Sequence, residues 1–223
     1  MKGLIIKDLL NLSSYKTTLF LILIFCSMGM IGTDAVNFAP TFIIVMIGMI
    51  VLSTFNYDEA SHAEKYIVAL PLTRKEIVMS KYVLAIVGNI LGGIIGIILT
   101  IIIVNVMNVI RPDDLIRLDY QGLLVTVISG IFGVALIQAI QIPSVYRFGA
   151  EKGRIQMFLL IFLLVLMIAG AGFLITKIGF DINMEEINHF MNRFGIPVLI
   201  LVSAVLYYIS YKISYKIFKK KEY

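Results

Sequence analysis

The longest charged interruption between apolar runs lies between Asn56 and Tyr82, NYDEASHAEKYIVALPLTRKEIVMSKY. Before Pro71 it carries Asp58, Glu59, His62, Glu64 and Lys65; after it come Arg74, Lys75, Glu76 and Lys81. Side chains of these types can do acid–base or metal chemistry, but the partners such chemistry needs are missing. The two histidines, His62 and His189, are expected on opposite faces of a membrane, so they cannot share a metal or a triad. No His-Glu-x-x-His, Gly-x-Ser-x-Gly or phosphate-binding Gly-x-x-x-x-Gly-Lys-Ser/Thr occurs. The apolar segments contain no paired carboxylates. What remains is docking. The residue before a proline is biased away from the α region, so a first piece should stop near Leu70. Thr73 and Glu76 stand at capping-box spacing, which starts a second helix. A polar two-piece element between two apolar segments is built to be pushed on from the cytoplasm; the alternative is an ordinary solvated loop.

The elements that hold this stretch are read from composition. Of 223 residues, 60% are hydrophobic and 15% charged, a membrane balance rather than a soluble one. Residues 17–33, 35–57, 82–110, 120–146, 155–176 and 194–211 contain no Asp, Glu, Lys, Arg or His. Each is about long enough for a spanning helix. The predicted fold is therefore all-α, with six transmembrane helices in one membrane domain over 1–223 and no room for a soluble domain. No cleavable signal peptide is expected, because polar Asn11, Ser13 and Ser14 separate Lys2 and Lys7 from a full span. The single Cys26 lies within the first span and reads as a packing residue.

Placing the N-terminus, the 57–81 and 143–154 loops and the C-terminus on one side collects 15 Lys and Arg there, against 4 opposite. The positive-inside rule then predicts both termini in the cytoplasm. The basic excess sets topology and meets anionic headgroups; it does not indicate nucleic acid.

Residues 1–14 place Leu4, Ile5, Leu9 and Leu12 on one face and Lys7, Asn11 and Ser14 on another, which predicts an interfacial helix. The second span is expected over 39–55 and the third from Tyr82. The third span carries Gly88, Gly92 and Gly96, a small-residue face for close helix approach within or between subunits. The fourth should end at Gln138, Gln141 and Pro143; the glutamines could bond a neighbouring helix or line a polar vestibule. The basic loop 144–154, with Arg147 and Lys152, is a second contact surface for a cytoplasmic partner. Asn183 and Glu186 at capping spacing, then Ile187, Phe190, Met191 and Phe194 at i, i+3, i+4, i+7, predict an amphipathic external helix over 183–194. The tail 212–223 is basic and suited to anionic lipid.

Uncharged spans disfavour proton- or ion-driven carriage, which uses ionisable relays in the membrane. A transporter without relays needs energy from elsewhere, such as a cytoplasmic ATPase acting on the 57–81 loop. A pathway of Phe, Met, Ile and Leu suits amphipathic or lipid-like cargo.

With six spans and Leu70-Pro71-Leu72-Thr73-Arg74-Lys75-Glu76-Ile77-Val78 … Lys81-Tyr82, the chain resembles the permease subunit of a type-2 ABC exporter, and among these the small permeases of phenol-soluble modulin and antimicrobial-peptide export. The resemblance implies that residues 58–70 form a coupling helix docking on an ATP-binding subunit. Asp58, Glu59, His62, Glu64, Lys65, Leu70, Pro71, Arg74, Arg147 and Lys152 would take part. It implies that 1–14 is a connecting elbow, that the 183–194 helix with Ile187, Phe190, Met191 and Phe194 shapes an outer gate, and that two permeases, alike or paralogous, work with two separate ATPase chains. ATP and magnesium would be bound in those ATPases, with no cofactor or metal in this chain. The cargo would be an amphipathic peptide. Competing readings are a lipid or drug permease, a non-transporting sensor subunit paired with an ATPase, and a membrane scaffold with no ATPase partner.

Overall fold

The computed structural model describes residues 2–14, 39–63, 71–110, 116–153 and 194–221, with Pro112, positions 66 and 67, and scattered positions in 16–24 and 155–170. The first and fifth expected spans and the external 183–194 helix lie mainly or wholly outside the described residues. Those described form five long helices: α1 (Lys2–Ser13), α2 (Ala39–Ala60), α3 (Arg74–Ile110), α4 (Tyr120–Phe148) and α5 (Ile196–Lys220). Among the described residues there is no strand. Helices α2 to α5 are long and apolar enough to cross a membrane. In lipid every backbone polar group must be satisfied within the chain, which is why uncharged runs of this length become helices.

All four spanning helices extend past their uncharged runs. α3 has 37 residues, about 55 Å of helix at about 1.5 Å per residue, against a hydrocarbon core of about 30 Å. It starts at Arg74, not Tyr82, because the predicted capping box forms. Thr73 N–H donates to Glu76 Oε2 at 2.9 Å, and Glu76 N–H donates to Thr73 Oγ1 at 3.3 Å. α2 continues past Phe55 to Ala60 and stops where His62 turns left-handed, with φ +50.

α4 does not end at Pro143 as the sequence predicts; it continues to Phe148. A proline inside a helix leaves the carbonyl four residues back without its N–H. That carbonyl belongs to Ala139, and the Ser210 hydroxyl of α5 donates to it at 2.6 Å. A neighbouring helix thus supplies the missing donor.

α2 lies antiparallel against α3 along the glycine face. A Cβ on Gly96 would stand 2.9 Å from Pro40 Cα, on Gly92 3.2 Å from Ile44 Cα, and on Gly88 2.6 Å from Val51 Cγ2. The face is filled by a helix of the same chain. At one end of the bundle a core of Leu4, Phe55, Ile77, Tyr82, Ile142, Tyr146 and Phe218 joins α1 to all four spans. Phe55, Tyr146 and Phe218 stack edge to face at 5.5 Å between centroids, running from α2 through α4 to α5.

Candidate functional junction

At that same end, four charged side chains from three helices meet over the aromatic core. Asp8 of α1 and Asp58 of α2 share the ammonium of Lys81 of α3, at 2.9 Å and 2.6 Å. Lys7 of α1 pairs with Asp58 and lies 3.2 Å from Asp8. Two carboxylates and two ammonium groups leave no net charge. Asp8 is 1% exposed, Asp58 6% and Lys81 7%. Lys81 also donates to Thr54 Oγ1 at 3.3 Å and lies 4.9 Å from the Phe55 ring centroid. A cavity of about 20 Å³ adjoins the cluster, about the room one water needs. Lys7, a third exposed, is the side open to solvent.

The periodicity of 1–14 missed the inner residue of α1. Leu4 is buried and Ile5 and Leu12 pack on the core, but Leu9 is exposed and Asp8 takes the innermost place. An acidic side chain turns inward because Lys81 waits there. No spacing rule within α1 signals a partner 73 residues away.

Burial acts to lower the Lys7 pKa, but the hydrogen bond and attraction of Asp58, and then Asp8, outweigh it and hold the pKa above the ordinary lysine value. A raised lysine pKa stabilises the folded state fully below the unfolded value and loses that stabilisation as pH rises through the folded one. The Lys7 contribution should therefore hold unchanged from pH 6 to 9 in about the lysine range's lower flank and fade only in strong alkali. Thermal unfolding of the purified protein across that interval checks this; a fall in stability below pH 9 ascribable to Lys7, absent in Lys7→Met, would contradict it.

Two further ties leave the 57–81 stretch. The exposed Glu59 accepts the backbone N–H of Ala150, capping the short helical turn that follows α4. Gly149 at φ +88 makes the bend, and a Cβ there would come 2.9 Å from Glu59 Oε1. Arg74 donates to the carbonyls of Phe218, Lys219 and Lys221 at 3.4, 2.5 and 3.4 Å. These carbonyls lie at the end of α5, where a helix runs short of intrahelical donors; that of Phe218 also accepts the Lys221 N–H at 3.3 Å. The residues expected to meet a partner thus divide. Asp58 is internal to the cluster, while Arg74 is half-buried on α5. Glu59, His62, Pro71, Arg147 and Lys152 are exposed. Arg147 lies 5.0 Å from the Phe148 ring centroid. Glu64, Lys65 and Leu70 are outside the described residues.

Deeper in the bundle, Asn89 donates to Gln138 Oε1 at 2.8 Å and to the Tyr207 hydroxyl at 3.0 Å. Gln138 Nε2 donates to the Gly48 carbonyl at 3.2 Å. One fully buried glutamine thereby links α2, α3, α4 and α5, so Gln138 bonds structurally rather than lining a vestibule. Gln141 Oε1 is buried without a hydrogen-bond partner among the described residues. At the expected outer gate, Phe194 is exposed just before α5; Ile187, Phe190 and Met191 are outside the described residues.

A chain of apolar helices long enough to cross a bilayer, with its ionisable side chains gathered at helix ends, is a membrane protein. A family model described as "ABC-2 family transporter protein" matches residues 3–219, and the chain belongs to that family. No curated protein and no solved structure matches it. Family membership makes the chain a membrane permease of an ABC exporter, a transmembrane subunit of a kind that is normally non-catalytic, and implies an ABC ATPase as partner.

Proposed function

We propose that this permease exports amphipathic peptides through a six-span pathway driven by a separate ATPase pair that docks on residues 57–81. In this reading α1 is the elbow, residues 58–70 are the coupling segment, and the 144–154 loop with Arg147 and Lys152 is the second contact. ATP and magnesium are bound in the ATPases, and two permease chains complete the complex in the bacterial plasma membrane with both termini cytoplasmic. Residues Ile187, Phe190, Met191 and Phe194 form the outer gate.

The observation that carries the proposal is the set of ties leaving the docking stretch. Asp58 and Lys81 hold α1, Glu59 holds the end of α4, and Arg74 holds the end of α5. A push on this stretch reaches every described helix through charged or hydrogen-bonded contacts. Peptide cargo is supported by the uncharged spans, which provide apolar surface and few groups to solvate an ion or sugar.

The test reconstitutes the permease with its ATPase and titrates an amphipathic helical peptide while ATP turnover is followed. Saturable stimulation is expected. Reversing Glu59 and Glu64 to lysine should abolish co-purification of the ATPase with membrane insertion intact. Glu59→Gln keeps an acceptor for Ala150 and separates the docking charge from the tie to α4. ATPase binding without a peptide response would reassign the cargo to lipid or the role to sensing; no association in the unaltered protein would reject the docking surface.

A further inference from the structure

Ser210, Ser214 and Phe218 form a stripe buried against the other helices. Two positions further on, about 200° around the helix axis at 3.6 residues per turn, stand Lys212, Lys216 and Lys220, all exposed. Tyr208 lies one turn before them on the same outward stripe, exposed, with the Lys212 ammonium 5.2 Å from its ring centroid. The outward face of α5 is therefore apolar, then tyrosine, then three lysines one turn apart.

Length fixes the depth of these lysines. Crossing a core of about 30 Å at about 1.5 Å per residue takes about 20 residues. Counted from Ile196, the start of α5, that span ends at Tyr215. Lys212 then lies in the last hydrocarbon turn, with a stem long enough to reach the headgroups. Lys216 and Lys220 lie at and beyond the boundary. Lysines near a helix C-terminus also complement its dipole and set topology. Those effects are met by lysines anywhere around the helix end. Three of the five tail lysines stand on the stripe opposite the buried one, which places their ammonium groups at headgroup depth on the face turned away from the other described helices, while Lys219, also exposed, lies to one side.

We infer that the Tyr208–Lys212–Lys216–Lys220 stripe is a binding site for the headgroup of an anionic phospholipid. The same helix end receives Arg74, whose guanidinium holds the carbonyls of Phe218, Lys219 and Lys221, and Lys75 lies 5.9 Å from the Tyr215 ring centroid. A lipid bound to the stripe thus steadies the helix end on which the docking stretch is fastened. This second step rests on the coupling reading above; the binding step does not.

The experiment places the full-length permease in nanodiscs of phosphatidylcholine with phosphatidylglycerol and measures retained lipid by native mass spectrometry. At roughly fivefold per lysine near a charged surface, the triple substitution Lys212→Gln/Lys216→Gln/Lys220→Gln should weaken phosphatidylglycerol retention on the order of a hundredfold. Lys→Arg at the three positions should retain it. Retention by the glutamine variant equal to the unaltered protein overturns the site; so does loss in the arginine variant, which keeps the charge. In the complex with the ATPase, ATP turnover should respond to phosphatidylglycerol, and Arg74→Gln should remove that response while lipid retention stays. An Arg74→Gln complex that responds like the unaltered one overturns the link to the docking stretch and leaves the lipid site standing. Failure of the ATPase to associate at all counts against the coupling reading alone.

Discussion

Lys81→Met is expected to destabilise the permease by about 3–5 kcal/mol, the cost of removing one partner from a buried ion pair. Asp8 and Asp58 both rest on that ammonium and are almost fully buried. Lys7 remains to serve them, but one cation cannot neutralise two carboxylates, so a buried negative charge stays unpaired. Converting the whole cluster with Lys7→Met, Asp8→Leu, Asp58→Leu and Lys81→Met should behave oppositely. Replacing a buried ionic group by apolar residues of similar volume is often neutral or stabilising by about 1–4 kcal/mol, because no desolvated charge remains. Thermal unfolding of the solubilised protein, followed by circular dichroism, measures both. Equal destabilisation by the single and fourfold variants would mean that side-chain volume, not charge, is what the site requires.

The fourfold variant also separates anchoring from transmission. Apolar side chains can hold α1 against α2 and α3 but cannot exchange partners while staying satisfied. Lys81 touches a carboxylate on each side, so it can release Asp8 and keep Asp58 as the docking stretch moves. A fourfold variant that is as stable as the unaltered protein and binds the ATPase, yet shows no cargo-stimulated turnover, would assign the cluster to force transmission. Full stimulation would limit it to anchoring.

What the sequence disclosed follows the range of the forces involved. The spans among the described residues are local: a run of uncharged residues has to become a helix in lipid whatever lies beside it. The Thr73–Glu76 capping box is equally local, both partners lying within one turn, and it forms as expected. Pro143 reads as a helix end from α4 alone, whereas the Ala139 carbonyl it frees is satisfied by Ser210, 71 residues along the chain. Asp8 was invisible for the same reason. An acid on a short amphipathic helix reads as solvated until its partner is known. The hold of Arg74 on the end of α5 was not legible, since nothing near it in sequence announces the carbonyls of Phe218 and Lys219, 144 and 145 residues along the chain. Gln138 could be placed on a helical face, but only the approach of Asn89, Tyr207 and the Gly48 carbonyl makes it a four-helix junction.

The α2–α3 contact gives the second large effect. Gly96→Leu should destabilise the permease by about 1–3 kcal/mol or more, the usual cost of overpacking. The reason is what the new side chain meets. Its Cβ alone would stand 2.9 Å from Pro40 Cα and 3.2 Å from the Pro40 carbonyl oxygen. Those are backbone atoms and cannot swing aside as a side chain tip would. α2 must move off α3, and Gly92, whose added Cβ would lie 3.2 Å from Ile44 Cα, is on the same contact line. Gly133 of α4 supplies the contrast, for among the described residues nothing lies within 4 Å of a Cβ placed there. Gly133→Ala should be tolerated, and alanine is favoured over glycine in a helix interior by about 1 kcal/mol. The two substitutions are thus expected to shift the unfolding temperature in opposite directions. Parallel shifts would mean that the glycines are read by their backbone freedom rather than by what they let approach. Displacement of α2 also carries Asp58 away from Lys81, since α2 runs without a break from Pro40 to the charge cluster. Gly96→Leu should therefore weaken ATPase-coupled turnover as well as stability, although the substitution lies far along α3 from the docking stretch. Loss of stability with turnover per folded molecule unchanged would show that α2 does not move as one rigid rod.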